Sequence, residues 1–282
     1  MTEVYLGLGS NLGDRAGQLK GAVAGLRSID GVQVSAVSSI YRTEPIGVVD
    51  QGAFFNAVVR IETELEPLEM LDRCLEIEKG RGRVRLERWG PRTLDIDLLL
   101  FGEQTLSDER LTLPHPLAIE RAFVLAPLLE LWPNAEIGGL NVQSALEEMD
   151  TDGVERLIAF DECETVAIVG ASSKPDRYSN RAQRMLMDFG YSVVPISPMG
   201  LDVLGVAGFS SLESFDGKVD TVTLYVGPAR QGAIVAELVE VVPKRVIFNP
   251  GTESVQSMDA LQAAGIETDE ACTLVLLQTG QF

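Results

Sequence analysis

Near the middle of the chain an apolar run, RWGPRTLDIDLLLF from Arg88 to Phe101, carries two aspartates, Asp95 and Asp97, two residues apart. Side chains alternate along a strand, so Leu94, Ile96 and Leu98 share one face while both carboxylates project from the other. Adjacent carboxylates repel and resist burial unless something positive lies between them. A strand with one wet face would carry the same pattern, so the neighbouring residues decide its meaning. Between Lys79 and Arg92 stand Lys79, Arg81, Arg83, Arg85, Arg88 and Arg92, with Glu87 the only acid. A solvated basic face is one reading of that cluster. The other is a polyphosphate site, in which guanidinium groups take phosphate oxygens and the carboxylates take a hard cation such as Mg²⁺. His115, the only histidine, follows this segment between two prolines.

The elements that must position these groups can be read from hydrophobic periodicity. The chain has 282 residues, enough for one large domain or two ordinary ones, and its 45% hydrophobic content suits a chain that buries a core. VYLGLGS reads as a strand ending in glycines, followed by a helix on which Leu19, Ala22, Val23 and Leu26 recur. VQVSAVSSIYRT is β-rich. FFNAVVRIET is a further strand, with Phe55, Ala57, Val59 and Ile61 on one face and Phe54 and Asn56 on the other. Glu66-Pro67 opens a helix carrying Leu68, Leu71 and Leu75, and TLDIDLLLF closes the set. The order β-α-β-β-α-β predicts an α+β, ferredoxin-like split βαβ domain, with helices on one face of an antiparallel sheet, over residues 1–160. Residues 134–163 are acidic with no clear core strand, and read as the tail of this domain plus a linker. From 164 to 282, TVAIVGAS, SVVPISP, VDTVTLYVG and RVIFNPG alternate with helical segments, which predicts a Rossmann-like parallel sheet.

Composition narrows the function classes. The formal charge of -19 argues against nonspecific nucleic-acid and anionic-membrane surfaces. No uncharged apolar stretch reaches membrane-spanning length, and the N-terminus lacks a signal-peptide pattern. Cys74, Cys163 and Cys272 are odd in number, far apart and in no metal-like spacing, as expected of buried thiols in a reducing cytoplasm. GLGSNLG, Gly7 to Gly13, has the wrong last spacing for a dinucleotide fingerprint and reads as a structural turn, with a nicotinamide site as the alternative. VAIVGASSKPDRYSNR lies between a parallel strand and a helix. There Gly170, Ser172, Ser179, Asn180 and Arg181 could hold a phosphate or pyrophosphate, although ordinary N-capping explains the serine and asparagine equally well.

TEPIG, DQGAFFNAVV, GRVR, RWGPRTLDIDLLLFG and LPHP, together with the opening YLGLGSNLGDR, give the first 160 residues a collinear resemblance to the 6-hydroxymethyl-7,8-dihydropterin pyrophosphokinases of the folate pathway. The resemblance implies transfer of the terminal two phosphates of ATP, as a unit, to the pterin hydroxymethyl group, releasing AMP. It implies that Asp95 and Asp97 bind two Mg²⁺ ions and that Arg83 and Arg92 hold the phosphates, with Arg88 among the nucleotide contacts. His115, Arg110 and Arg121 match positions that meet ATP. Phe54 and Phe123 match the pair that stacks on the pterin, and Asn56 its hydrogen-bonding asparagine. Thr43, Pro45 and Ile46 match the loop at the pterin edge, and Trp89 also falls at a pterin-binding position. Many relatives carry an arginine after His-Pro, where this chain has Leu117.

The second half resembles the small Rossmann-like CoA-binding domains, through VAIVGASSKPDRYSNR, GYSVVPISP, FNPGTES and EACTLVLLQTGQF. CoA is the ligand this implies, with a nucleotide as competitor. A different reading of the whole chain makes it a catalytically inactive CoA or nucleotide sensor. The intact D-x-D, both arginines and His115 speak against that. The sequence carries no sign of oligomeric state.

Overall fold

A computed structural model describes residues 1–45, 51–83 and 91–282. Ile46, Arg85, Arg88 and Trp89 lie outside the described residues. The chain divides into two compact units, Met1–Glu162 and Cys163–Phe282.

The first unit runs β1 (Thr2–Ser10), α1 (Arg15–Arg27), β2 (Val32–Val37), β3 (Ile40–Thr43), β4 (Phe54–Thr63), α2 (Pro67–Gly80) and β5 (Asp95–Phe101). A short hairpin of β6 (Leu106–Ser107) and β7 (Thr112–Leu113) follows, then α3 (Ala122–Leu131), β8 (Glu136–Ile137), β9 (Leu140–Asn141), α4 (Val142–Glu147) and β10 (Val154–Ile158). The main sheet has the order β10-β3-β4-β1-β5, with β2 also on β4, and these pairs are antiparallel. Asp14 caps α1 by accepting the Gly17 amide at 3.1 Å. Glu66 and Glu69 form a capping box on α2, with Pro67 in its first turn.

Three features depart from the sequence expectations. First, helices do not cover a single face. Tyr5, Val58 and Leu99 pack against Val124, Leu125 and Leu128 of α3, while the alternate set Val4, Leu6 and Leu8 is equally buried. Second, α2 buries Met70, Cys74 and Glu78, whereas Leu75 remains 36% exposed. Two stripes on this helix have helical spacing, and the buried one contains a charge, so periodicity selects the other. Third, Val154–Ile158 is no linker but a strand paired with β3. As an edge strand it exposes Glu155 and Arg156, which hides it from any hydrophobic pattern. Glu130 ties this edge together, accepting the Ser39 amide at 2.6 Å, the Tyr41 hydroxyl at 2.8 Å and Arg156 Nε at 3.0 Å.

The second unit comprises β11 (Thr165–Val169), α5 (Tyr178–Asp188), β12 (Ser192–Ile196), β13 (Thr221–Leu224), α6 (Gly232–Val241), β14 (Arg245–Phe248), α7 (Val255–Ala263), β15 (Glu267–Glu270) and α8 (Thr273–Gln278). Its five strands are parallel in the order β12-β11-β13-β14-β15, with a helix in every connection except that from β12 to β13. The fifth strand, Glu-Thr-Asp-Glu, is too polar to stand out in the sequence. The strand order reverses at β11, where the carboxyl ends of an open sheet leave a crevice. Among the described residues, no helix is long and apolar enough to cross a membrane.

Candidate active site

The register of the first sheet assembles the site. Gly9 lies opposite Asn56 on β4 and Asp95 on β5; Gly7 lies opposite Val58 and Asp97. Directly opposed residues of antiparallel strands point to the same side, so Asn56, Asp95 and Asp97 rise from one face around a floor of two glycines. A Cβ on Gly9 would stand 3.2 Å from Asn56 Oδ1, and one on Gly7 3.4 Å from Leu99. Gly7 and Gly9 thus belong to the strand, as the reading of VYLGLGS expects, and let the Leu99 and Asn56 side chains lie close to the backbone, so the turn read over Gly7–Gly13 is confined to the residues after Ser10. Gly13, at φ +59°, does serve the turn.

The two carboxylates have different surroundings. Asp95 is held by two guanidinium groups, Arg83 Nη2 at 2.7 Å and Arg92 Nη1 on the other oxygen. Arg83 is also paired with Glu78, a carboxylate only 2% exposed at the end of α2. Glu78 accepts the Ile96 amide at 2.8 Å, which fastens α2 to β5 between the two aspartates. Burial pushes the Glu78 pKa up, opposed by that amide and by Arg83. Asp97 has Arg121 at 3.9 Å. Its pKa is pushed up to about 6, first by burial and then by the Asp95 charge, against the pull of Arg121 and Arg92. An acid raised in this way gains from a cation brought to it.

Arg92 has its backbone clamped by Asn11, a residue the sequence did not single out. The Arg92 amide donates to Asn11 Oδ1 at 2.8 Å, and the Asn11 amide donates to the Arg92 carbonyl at 3.1 Å. His115 is positioned through its own amide, which donates to the Leu99 carbonyl at 2.9 Å. Its Nδ1 accepts the Leu117 amide at 3.2 Å. Burial and the Arg121 charge hold the imidazole pKa below the ordinary value, so the ring is neutral with its proton on Nε2.

A cleft of about 850 Å³ is lined by Gly7, Gly9, Glu78, Arg83, Arg92, Asp95, Asp97, His115 and Arg121, with Asn11 behind its wall. Thr43, Phe54, Asn56 and Phe123 form one part of its wall, and Leu71, Leu75, Arg110 and Leu117 line it as well. Asn56 Nδ2 donates to Thr43 Oγ1 at 2.7 Å, which turns Oδ1 over Gly9. Phe123 stands in the first turn of α3 beside Arg121, whose guanidinium lies 5.7 Å from its ring. Arg110 pairs with Asp72 of α2 at the surface. Pro45 follows β3 without lining the cleft. Among the described residues no group of three or more His, Cys, Asp and Glu side chains is arranged for a metal. Two carboxylates alone suit Mg²⁺, which keeps most of its shell for water and phosphate oxygens.

The family model for 7,8-dihydro-6-hydroxymethylpterin-pyrophosphokinase (HPPK) matches residues 5–133. A Methylorubrum extorquens protein named 2-amino-4-hydroxy-6-hydroxymethyldihydropteridine pyrophosphokinase is 53% identical over 157 residues, which cover 56% of this chain and 99% of that one. The chain belongs to the HPPK family. A Bacillus subtilis protein of the same name is 46% identical over 150 residues, 53% of this chain and 87% of that one. The CoA binding domain family matches residues 164–278, beyond the HPPK match. A solved Thermus thermophilus chain is 25% identical, with a TM-score of 0.41, covering 43% of this chain and 92% of its own.

Outside the HPPK part, the second unit has a cleft of about 910 Å³ at the carboxyl ends of its strands. Gly170, Ser172 and Ser179 line it, as do Arg177 at the start of α5 and Arg230 in the short 3-10 turn Pro228–Arg230 before α6. Gly170 has φ +91°, and a Cβ there would meet the Tyr225 carbonyl at 3.0 Å. Asn180 is buried below the lining, donating to the Ser172 carbonyl at 2.8 Å and accepting Arg184 Nε at 3.0 Å. Arg181 is exposed beside the Tyr178 ring and does not line the cleft. The structure thus brings Gly170, Ser172 and Ser179 together, gives Asn180 a supporting place, and puts Arg177 in the lining instead of Arg181.

Proposed function

We propose that the first unit transfers pyrophosphate from ATP to 6-hydroxymethyl-7,8-dihydropterin, releasing AMP, in a Mg²⁺-dependent step of folate biosynthesis. The observation that carries this is a single cleft in which two strand carboxylates flanked by Arg83, Arg92 and Arg121 share a glycine floor with a Phe54, Asn56 and Phe123 wall. A pterin is flat and rimmed by donors and acceptors, so it calls for aromatic faces and a few fixed polar partners. Asn56, oriented by Thr43, offers its Oδ1 to that rim. Asn56 and Asp95 flank Gly9, so a pterin held at Asn56 directs its substituent over the glycines toward the carboxylates.

Arg83 and Arg92 hold the phosphates, with Glu78 and Asn11 fixing where each is presented. Arg121 and the Nε2 proton of His115 donate to further phosphate oxygens. Two Mg²⁺ ions, held by Asp95 and Asp97, supply charge neutralisation and alignment of the phosphate chain when bound. Leu71, Leu75 and Leu117 give the cleft an apolar flank suited to a nucleobase.

The sheet order supports a ferredoxin-like reading of the first domain, residues 1–160. Residues 164–282 are read as a second, ligand-binding domain whose cleft takes CoA or a nucleotide, with arginines for phosphate and glycine loops for close approach. The test is steady-state assay of the full chain with ATP, Mg²⁺ and the pterin, with and without CoA. AMP should appear in step with pterin pyrophosphate, and Asp97→Ala should abolish both while its circular dichroism stays native. ADP as the product sinks the reading of the first domain; failure of CoA and ATP alike to protect residues 164–282 from amide exchange sinks that of the second.

A further inference from the structure

Arg81 ends α2 and lies across α1. Its Nε donates to Gln18 Oε1 at 2.9 Å and its Nη2 to the Gly17 carbonyl at 2.8 Å. The guanidinium occupies the space a side chain would take at Gly21, where a Cβ would stand 2.2 Å from Arg81 Cζ. Only glycine leaves this slot open. Burial lowers the Arg81 pKa, with Asp14 opposing. A charge removed from water and bonded to neutral oxygens gains little stability for the fold. What the arrangement does provide is a fixed position.

That position is transmitted over two residues. The Arg81 amide closes α2 by donating to the Ile77 and Glu78 carbonyls at 3.0 and 3.1 Å. Gly82 then turns the chain at φ +77°, and the Arg83 amide returns to the Glu78 carbonyl at 3.1 Å. The Arg83 side chain leaves this turn to meet Glu78 and Asp95. Anchored at one end by Arg81 and Gly21, the turn has little freedom to present Arg83 in any other direction.

We propose that Arg81 is a positioning residue for pyrophosphoryl transfer, locked in the slot at Gly21 so that the end of α2 aims Arg83 at the phosphates. This rests on the reading above that Arg83 holds those phosphates. The signal in the sequence was only one more arginine in a basic run.

The test is a double-mutant cycle in the full chain: wild type, Arg81→Ala, Arg83→Ala and the double variant, each assayed for kcat, both KM values and Tm. Misplacing a charged donor by an ångström costs about tenfold or more in rate, so Arg81→Ala should lower kcat by about that factor with the pterin KM unchanged. In the Arg83→Ala background the same change should cost nothing further, because its effect passes through Arg83. Gly21→Ala, which fills the slot, should reproduce the kcat loss. Arg81→Lys, which keeps a donor for the Gly17 carbonyl, should restore part of it and can take the place of Arg81→Ala if that variant does not fold. Losses that multiply in the double variant overturn the inference, as does a lowered Tm with unchanged kcat. An impaired Arg83→Ala enzyme beside an unimpaired Arg81→Ala enzyme overturns it alone. Full activity in Arg83→Ala overturns the phosphate reading and the inference together.

Discussion

Burial and the neighbouring Asp95 charge make an ionised Asp97 costly to the fold. Its pKa of about 6 lies above the ordinary aspartate value of 3.8, so the folded chain binds this proton more tightly than the unfolded chain. Stability therefore falls as pH rises from about 4 to about 6, and the full cost persists above that range. Asp97→Asn is expected to raise Tm at pH 7.5 and to raise it less at pH 4.5, while removing activity; a lower Tm at pH 7.5 would contradict the electrostatic reading. In the intact enzyme, kcat/KM for ATP with Mg²⁺ should fall as pH drops through about 6, since that quantity reports the free enzyme. Gly9 offers a second test at this scale. Gly9→Ala places a methyl group 3.2 Å from Asn56 Oδ1, on the floor between Asn56 and Asp95. The pterin KM should rise by about tenfold or more, the range expected of a polar partner displaced in a closed site, with the ATP KM little changed. An equal rise in both would move the pterin away from Gly9.

At the scale of the element, α2 has two working faces. Met70, Cys74 and Glu78 bind it to the sheet, and Leu71 and Leu75 border the cleft. Glu78 is its attachment to β5, through the Ile96 amide and Arg83. Glu78→Ala leaves the Ile96 amide buried and unpaired and takes from Arg83 one of its two carboxylate partners, Asp95 remaining, which is expected to cost about 2–4 kcal/mol in urea unfolding. Glu78→Gln keeps an acceptor for the amide and should cost clearly less; equal costs would show that the amide bond contributes little. The Leu68, Leu71 and Leu75 stripe misled because a buried carboxylate on the other stripe looks like surface. The edge strands β10 and β15 escaped for the same physical reason, since a strand paired on one side and open to water on the other needs no hydrophobic alternation. Gly7 and Gly9 required the register, which places them opposite Asp97 and Asp95. Asn11 acts on the Arg92 backbone and leaves no trace in side-chain pattern. Asp95 and Asp97 stood out because two carboxylates in an apolar run contradict their surroundings, whereas Arg92 and His115 were picked out by the family motifs around them.

At the scale of the molecule, each unit opens a cleft on its own sheet, one antiparallel and one parallel, and the alternation of strands and helices announced that difference in the sequence. The central claim concerns the first cleft: the two aspartates, the arginines and the pterin wall serve transfer of two phosphates as one unit. Phosphorus NMR of the full chain turning over ATP with Mg²⁺ and 6-hydroxymethyl-7,8-dihydropterin tests it most directly. The account requires AMP and a pterin ester carrying two coupled phosphorus signals, in equal amounts. A pterin monophosphate beside ADP would contradict it.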